Sequence, residues 1–338
     1  MAQPALETVS NPLAHRVGLA SGCGSAPSGA GMLRTIEHDG VEIASAARPS
    51  NWPAGQQGQP MTDRHPMNFT ESVMTGVRAA VADALTCEAA PVQLALRLLL
   101  SGRQMPIRAL VTCAFHSGQP GISAGTALDL IHLSLQQLHV HVDATSGASA
   151  LLGNAATVLA GDYLTTGAFR LLVRCADQQV LALVADAVNR AAELEAANLN
   201  HARFTGDDPA RWLRTRQRLA APLGEAAGAT GAALAGYPAP LADVARRYGE
   251  TLVASYVLLQ EADAIDRFEA RAALARSALD LCRQATQEAH TLAMAAGNGR
   301  PLELAELIAA SIQAAASAEP PVGILSDAMK IQSEKPTR

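Results

Sequence analysis

Three residues have the types and spacing to do chemistry together. His139 and Asp143 stand four residues apart, and His132 lies seven before His139, so on a single helix all three share one face. An imidazole–carboxylate face of this kind can ligate Zn2+ or Fe2+. The same spacing is also common on helices that bind nothing, and that plainer account is preferred. A second cluster, Asp207 and Asp208 followed by Arg211, Arg214, Arg216 and Arg218, puts acids before a run of cations. Acids at a helix start complement its dipole without any ligand, so this cluster is read as a solvated helix start.

The elements that must position the first group run from Gly121 to Phe169. Leu128, Ile131, Leu135, Leu138 and Val142 recur at three- and four-residue steps, which predicts one stripe of a helix ending near Asp143. After a polar Ser/Gly connection, Ala156, Leu159, Ala160, Tyr163 and Leu164 resume the same period from Asn154 onward. Around this pair the spacing predicts further helices. The first begins at Asn68, with Asn68 and Glu71 at capping-box spacing; others open at Pro91 and Pro106. Later ones run over Gln178–Asn200, Pro209–Ala235, Pro240–Arg267, Ala270–Ala296 and Pro301–Ala316. No window sustains period-two alternation, so sheet is not expected.

Leu130-Ile131-His132, the run His139-Val140-His141-Val142-Asp143, and Leu159-Ala160-Gly161-Asp162-Tyr163-Leu164 together resemble the trans-isoprenyl diphosphate (polyprenyl) synthases. The resemblance extends from about Asn68 to about Ala318. It implies an all-α fold, a bundle of about ten helices around a central cavity. It also implies two aspartate-rich motifs on facing helices that hold Mg2+ against an allylic diphosphate. Here the first motif reads HVHVD, leaving His139 and Asp143 at matched positions. The second follows Gly249-Glu250-Thr251-Leu252 and falls on Gln260 and Glu261, or on Asp263 in a register three residues later. The family's GGKRLRP appears as Ser101-Gly102-Arg103-Gln104-Met105-Pro106-Ile107, and its Lys-Thr pair as Arg218-Leu219. The diphosphate-binding cations that the resemblance leaves are Arg103 and Arg218, with Arg108 approaching from a different angle.

Composition sets outer bounds. With 338 residues and 49% hydrophobic but only 3% aromatic content, the core must be aliphatic and Ala-rich. A net charge of −5 gives no support for nucleic-acid binding, and five scattered cysteines read as free thiols. No apolar run is long enough for a bilayer, so the expectation is a soluble, cytoplasmic protein. Residues 1–66 carry eight glycines and seven prolines, which predicts a largely disordered N-terminal segment; residues 67–318 form the helical domain and 319–338 a flexible tail.

About two carboxylates remain of the roughly six a Mg2+ cluster of this kind uses. Removing one group that stabilises developing charge costs on the order of a hundredfold in rate. The leading expectation is therefore a non-catalytic partner or regulator, with no cofactor, forming a homodimer or a heteromer with an active prenyltransferase. The alternative is an active prenyltransferase or isoprenoid diphosphate cyclase with a rearranged site, for which Mg2+ would be required. Either way an isoprenoid diphosphate is the candidate ligand.

Overall fold

The structure is a computed structural model describing residues 34–38, 41–45, 66–86, 88, 93, 105–138, 153–198, 209–263 and 268–317. It divides into two compact units, Met1–Gln59 and Pro60–Arg338. In the first, β1 (Arg34–His38) pairs antiparallel with β2 (Val41–Ser45), Ile36 opposite Ile43 and His38 opposite Val41. The expectation that no sheet forms is corrected here. Five-residue strands are too short to register as sustained alternation, and the overlooked signal was the Asp39-Gly40 dipeptide between them, a strong hairpin former.

The second unit is all-helical among its described residues. Its elements are α1 (Pro66–Ala84), α2 (Ile107–Phe115), α3 (Gln119–His132), a π-helical turn (Leu133–Leu138), α4 (Asn154–Cys175), α5 (Gln178–Asn198), α6 (Pro209–Leu234), α7 (Ala239–Asp263), α8 (Phe268–Ala296) and α9 (Arg300–Ser317). Bounds of the later helices agree with those read from apolar spacing. Apart from Gln93, the predicted helix after Pro91 lies outside the described residues, as does the stretch 144–152.

Every residue of α2 is buried, so this helix is the axis on which the others pack. Pro106 precedes it, where a missing N–H is harmless. Phe115 at its end meets Tyr237 and Tyr248 edge-on, at centroid distances of 5.9 and 5.7 Å. Tyr248 is fully buried, and its hydroxyl donates to the Pro301 carbonyl at 2.8 Å, so an aromatic with a polar tip is satisfied inside the core.

α6 and α7 cross closely because glycines line the contact. A Cβ on Gly228 would lie 1.9 Å from the Ala245 carbonyl oxygen, and one on Gly249 would lie 2.3 Å from that of Gly224. Pro222 sits inside α6 and removes the amide that would bond the Arg218 carbonyl. In the same turn the Leu219 carbonyl accepts a hydrogen bond from Gln136 Nε2 at 3.0 Å. The LAGDYL segment serves packing as well: Ala160, Gly161 and Leu164 are buried, and the Gly161 carbonyl accepts from Ser134 Oγ at 2.7 Å. That bond ties α4 to the π-helical turn.

Gly228→Ala forces backbone apart at the α6–α7 crossing, and urea denaturation is expected to show a loss of about 1–3 kcal/mol or more.

Candidate functional site

The stripe predicted through Leu128, Ile131 and Leu135 is regular only as far as His132. From Leu133 to Leu138 the helix widens to π geometry, a form that recurs at functional sites. It follows directly on His132 and ends just before the HVHVD run.

On the α2 side of this junction lies a buried ionic group. Asp129 on α3 receives the backbone N–H of Arg108 at 3.3 Å and of Ala109 at 3.0 Å. These are orphan amides of the first turn of α2, so a carboxylate from another helix caps it. The Arg108 guanidinium lies 3.5 Å from the same carboxylate, with only 2% of its side chain exposed. Burial pushes the Asp129 carboxyl up and the Arg108 guanidinium down, each opposed by the attraction of the other.

Arg108 Nη2 also stands 3.1 Å from His132 Nδ1. Arginine only donates, so Nδ1 accepts and the imidazole proton resides on Nε2. Burial, aided by the neighbouring Arg108 charge, holds His132 well below its ordinary value, against a hydrogen bond that the imidazole donates to Gln136. Gln136 further bonds Glu195 on α5, whose buried carboxyl is raised by desolvation and lowered by the Arg216 charge and by Gln136 itself. Arg216 in turn places Nη2 3.1 Å from Glu261 Oε1 and its guanidinium carbon 5.4 Å from the Trp212 ring centre. A polar chain therefore runs Asp129, Arg108, His132, Gln136, Glu195, Arg216, Glu261 across α2, α3, the π turn, α5, α6 and α7.

Of the residues singled out from sequence, Arg108 belongs to this chain as a buried ion-pair partner. Glu261 belongs to it through Arg216, and Gln260 Nε2 donates to the Tyr256 hydroxyl at 3.2 Å. That hydroxyl also accepts the Met105 N–H at 2.8 Å, tying α7 to the segment before α2. Arg218 is two residues from Arg216, hence on nearly the opposite face of α6. It lines an open groove of about 490 Å3 with Arg247, Glu250, Thr251 and Glu288. His139, Asp143, Arg103 and the side chain of Asp263 lie outside the described residues. Sequence reasoning passed over Asp129, Gln136 and Glu195, and read Arg216 as part of a solvated helix start, whereas it is paired with Glu261. The usable signal was the isolated Asp129 and Glu195 on otherwise apolar faces, since carboxylates there need partners.

Mg2+ calls for several hard oxygen ligands in near-octahedral array. At the described second-motif positions the amide of Gln260 is committed to Tyr256 and the carboxylate of Glu261 to Arg216. This donor set does not fit a Mg2+ cluster. Among the described residues there is also no group of three or more His, Cys, Asp or Glu side chains suited to a metal, and no helix is long and apolar enough to cross a membrane.

Residues 144–297 match the polyprenyl synthetase family, the match beginning one residue after Asp143. The octaprenyl diphosphate synthase of Haemophilus influenzae is 31% identical over 151 residues, covering 43% of this chain and 46% of that one. The octaprenyl diphosphate synthase of Escherichia coli is 27% identical over 208 residues, covering 57% and 63%. The chain thus spans about half to just under two thirds of the length of these curated relatives. Among solved structures, decaprenyl diphosphate synthase from Rhodobacter capsulatus superposes with a TM-score of 0.57 at 18% identity, over 72% of this chain and 98% of that one. A polyprenyl synthase from Caulobacter crescentus, complexed with calcium and isoprenyl diphosphate, gives 0.57 at 24% identity, over 72% and 97%. The helical unit has the isoprenoid-synthase fold. Residues 144–297 are thus similar to the polyprenyl synthetase family, and the helical unit shares its fold with the solved polyprenyl diphosphate synthases.

Two outcomes follow from the buried chain. Arg108→Met strands the Asp129 carboxylate, and the expected cost is about 3–5 kcal/mol by denaturant unfolding; Asp129→Leu added to Arg108→Met should recover much of it. His132 stays neutral in the fold while the unfolded chain takes up a proton near the ordinary histidine value. The unfolded state then binds more protons, so stability present at neutral pH is lost as pH falls below it. Between about pH 7 and pH 5 the unfolding free energy should drop, and His132→Gln should flatten the drop. His116, also lowered by burial, acts in the same direction.

Proposed function

We propose that the protein acts on isoprenoid diphosphates as a prenyltransferase with a rearranged diphosphate site. The observation that carries this reading is the family match over residues 144–297, whose curated relatives are octaprenyl diphosphate synthases. In prenyl transfer the allylic C–O bond breaks, its electron pair leaves with diphosphate, and the double bond of isopentenyl diphosphate attacks the allylic carbon. A proton is then lost from the new chain.

The residues of this chain can take part in two ways. Arg103 and Arg218 are the candidate cations for the departing diphosphate, and the aliphatic interior would shield the allylic cation from water. With no step assigned to a metal, charge stabilisation is thinner than in a full cluster. The turnover expected is about 0.1 s⁻¹ or slower, roughly a hundredfold under an ordinary enzyme.

A second reading is favoured by one specific observation: Glu261 and Gln260 already have partners within the fold. In that reading the chain is a non-catalytic partner of an active prenyltransferase, as a homodimer or heteromer. A cyclase remains a variant of the first reading, using an isoprenoid diphosphate alone.

Incubating the full chain with farnesyl diphosphate and labelled isopentenyl diphosphate, with and without Mg2+, separates these. Labelled longer prenyl diphosphates are expected. A hydrocarbon formed from farnesyl diphosphate alone would identify a cyclase. No product alone, but an altered rate or product length when mixed with an active synthase, would overturn catalysis in favour of the partner role.

A further inference from the structure

Four arginines follow one another on the first half of α6, and the fold treats one of them differently. Arg211, Arg214 and Arg218 are exposed, whereas Arg216 is half-buried at 26% and turned toward α7. There its Nη2 meets Glu261, itself 26% exposed, at 3.1 Å, and its guanidinium carbon lies 5.4 Å from the Trp212 ring centre. On the α5 side its charge acts on Glu195, which is 7% exposed. One guanidinium thus serves carboxyl groups from two neighbouring helices.

The guanidinium is not saturated by these contacts. Arg216 Nε is buried without a hydrogen-bond partner among the described residues. A buried donor without a partner is costly, and an oxygen anion supplied by a ligand would satisfy it. Guanidinium is also a strong recognition group for diphosphate oxygens, because its donors form a planar fork and it never loses its charge.

We propose that Arg216 is a built-in cation standing where the second acidic motif would otherwise take a divalent metal, and that it makes diphosphate recognition at α7 independent of Mg2+. The proposal rests on the reading of an isoprenoid diphosphate as ligand. It follows from charge: a divalent ion approaching Glu261 meets a carboxylate already neutralised and a guanidinium that repels it. A diphosphate approaching the same place meets a cation whose own acid is already paired, and so is not faced by a bare carboxylate. Gln136 supports the arrangement by bonding both Glu195 and the carbonyl of Leu219, three residues beyond Arg216 on the same helix.

The test uses the full chain and two probes. Mn2+ alone, followed by the loss of its free-ion electron paramagnetic resonance signal, reads the metal site without any substrate. Wild type should bind Mn2+ about fivefold to tenfold more weakly than Arg216→Gln, and Glu261→Gln added to Arg216→Gln should abolish the gain. Calorimetric titration with farnesyl diphosphate reads the ligand. Wild-type affinity should change by less than about twofold between Mg2+ and EDTA, while Arg216→Gln should bind more weakly and become Mg2+-dependent. Arg216→Lys, which keeps the charge, guards against a variant that merely unfolds, and should retain metal-independent binding.

Wild-type binding of farnesyl diphosphate that needs Mg2+ and is lost in Glu261→Gln would overturn the proposal. Equal Mn2+ affinity in wild type and Arg216→Gln would do the same. No binding of farnesyl diphosphate under any condition would instead sink the isoprenoid ligand, leaving the Mn2+ comparison to decide the role of Arg216.

Discussion

A guanidinium with 2% of its surface exposed must be matched inside the protein, and Arg108 is matched from two directions, by Asp129 and by the Nδ1 lone pair of His132. Much of the bundle's geometry depends on this match. Asp129 has to face α2 to cap its first turn, which sets α3 against α2. His132 has to stay neutral to accept from Arg108, which puts its proton on Nε2 and directs the ring toward Gln136. Gln136 has one carbonyl and two N–H groups, and it spends them on His132, Glu195 and the Leu219 carbonyl. Each step of the chain limits the next, because each donor or acceptor used is unavailable elsewhere.

The helix bounds were legible in the sequence because they rest on the 3.6-residue period and on prolines at helix starts. The low aromatic and high aliphatic content marked an Ala-rich core. The roles of particular polar residues were much less legible. Arg108 reads as a phosphate-binding cation when only its neighbours in the chain are known, and its buried role depends on Asp129, twenty-one residues away. Arg216 reads as one of four solvated arginines until the bend-prone turn at Pro222 and the glycine contacts at Gly224 and Gly249 bring α6 against α7. The hairpin at Arg34–Ser45 was missed for a different reason: its signal is a dipeptide, which a window sized for long periodic elements averages away.

Likeness to the family and departure from it fall on different kinds of position, and the division has a physical basis. The matched segment starts immediately after Asp143 and includes LAGDYL on α4 and the Gly-Glu-x-Leu entry on α7. In this fold those segments do packing work. Gly161 offers its carbonyl to Ser134, and Gly249 lets two backbones approach more closely than any side chain would allow. Such positions tolerate little change, because overpacking a close helix contact is costly whatever the protein does. Metal-binding carboxylates are held by function alone, and their replacement leaves the packing intact.

The π-helical turn shows how packing and site meet. An extra residue in the turn rotates everything beyond it relative to a regular helix, so the apolar stripe that runs through Leu128 and Ile131 cannot continue in phase to Leu138. The 3.6-residue period on which a spacing argument rests is therefore broken from Leu133 onward. The widened turn instead presents Ser134 to α4 and Gln136 to α5 and α6, and so converts a stretch of helix into a junction among four elements. In this chain the polar contacts that tie these helices together run through the π-helical turn that follows His132.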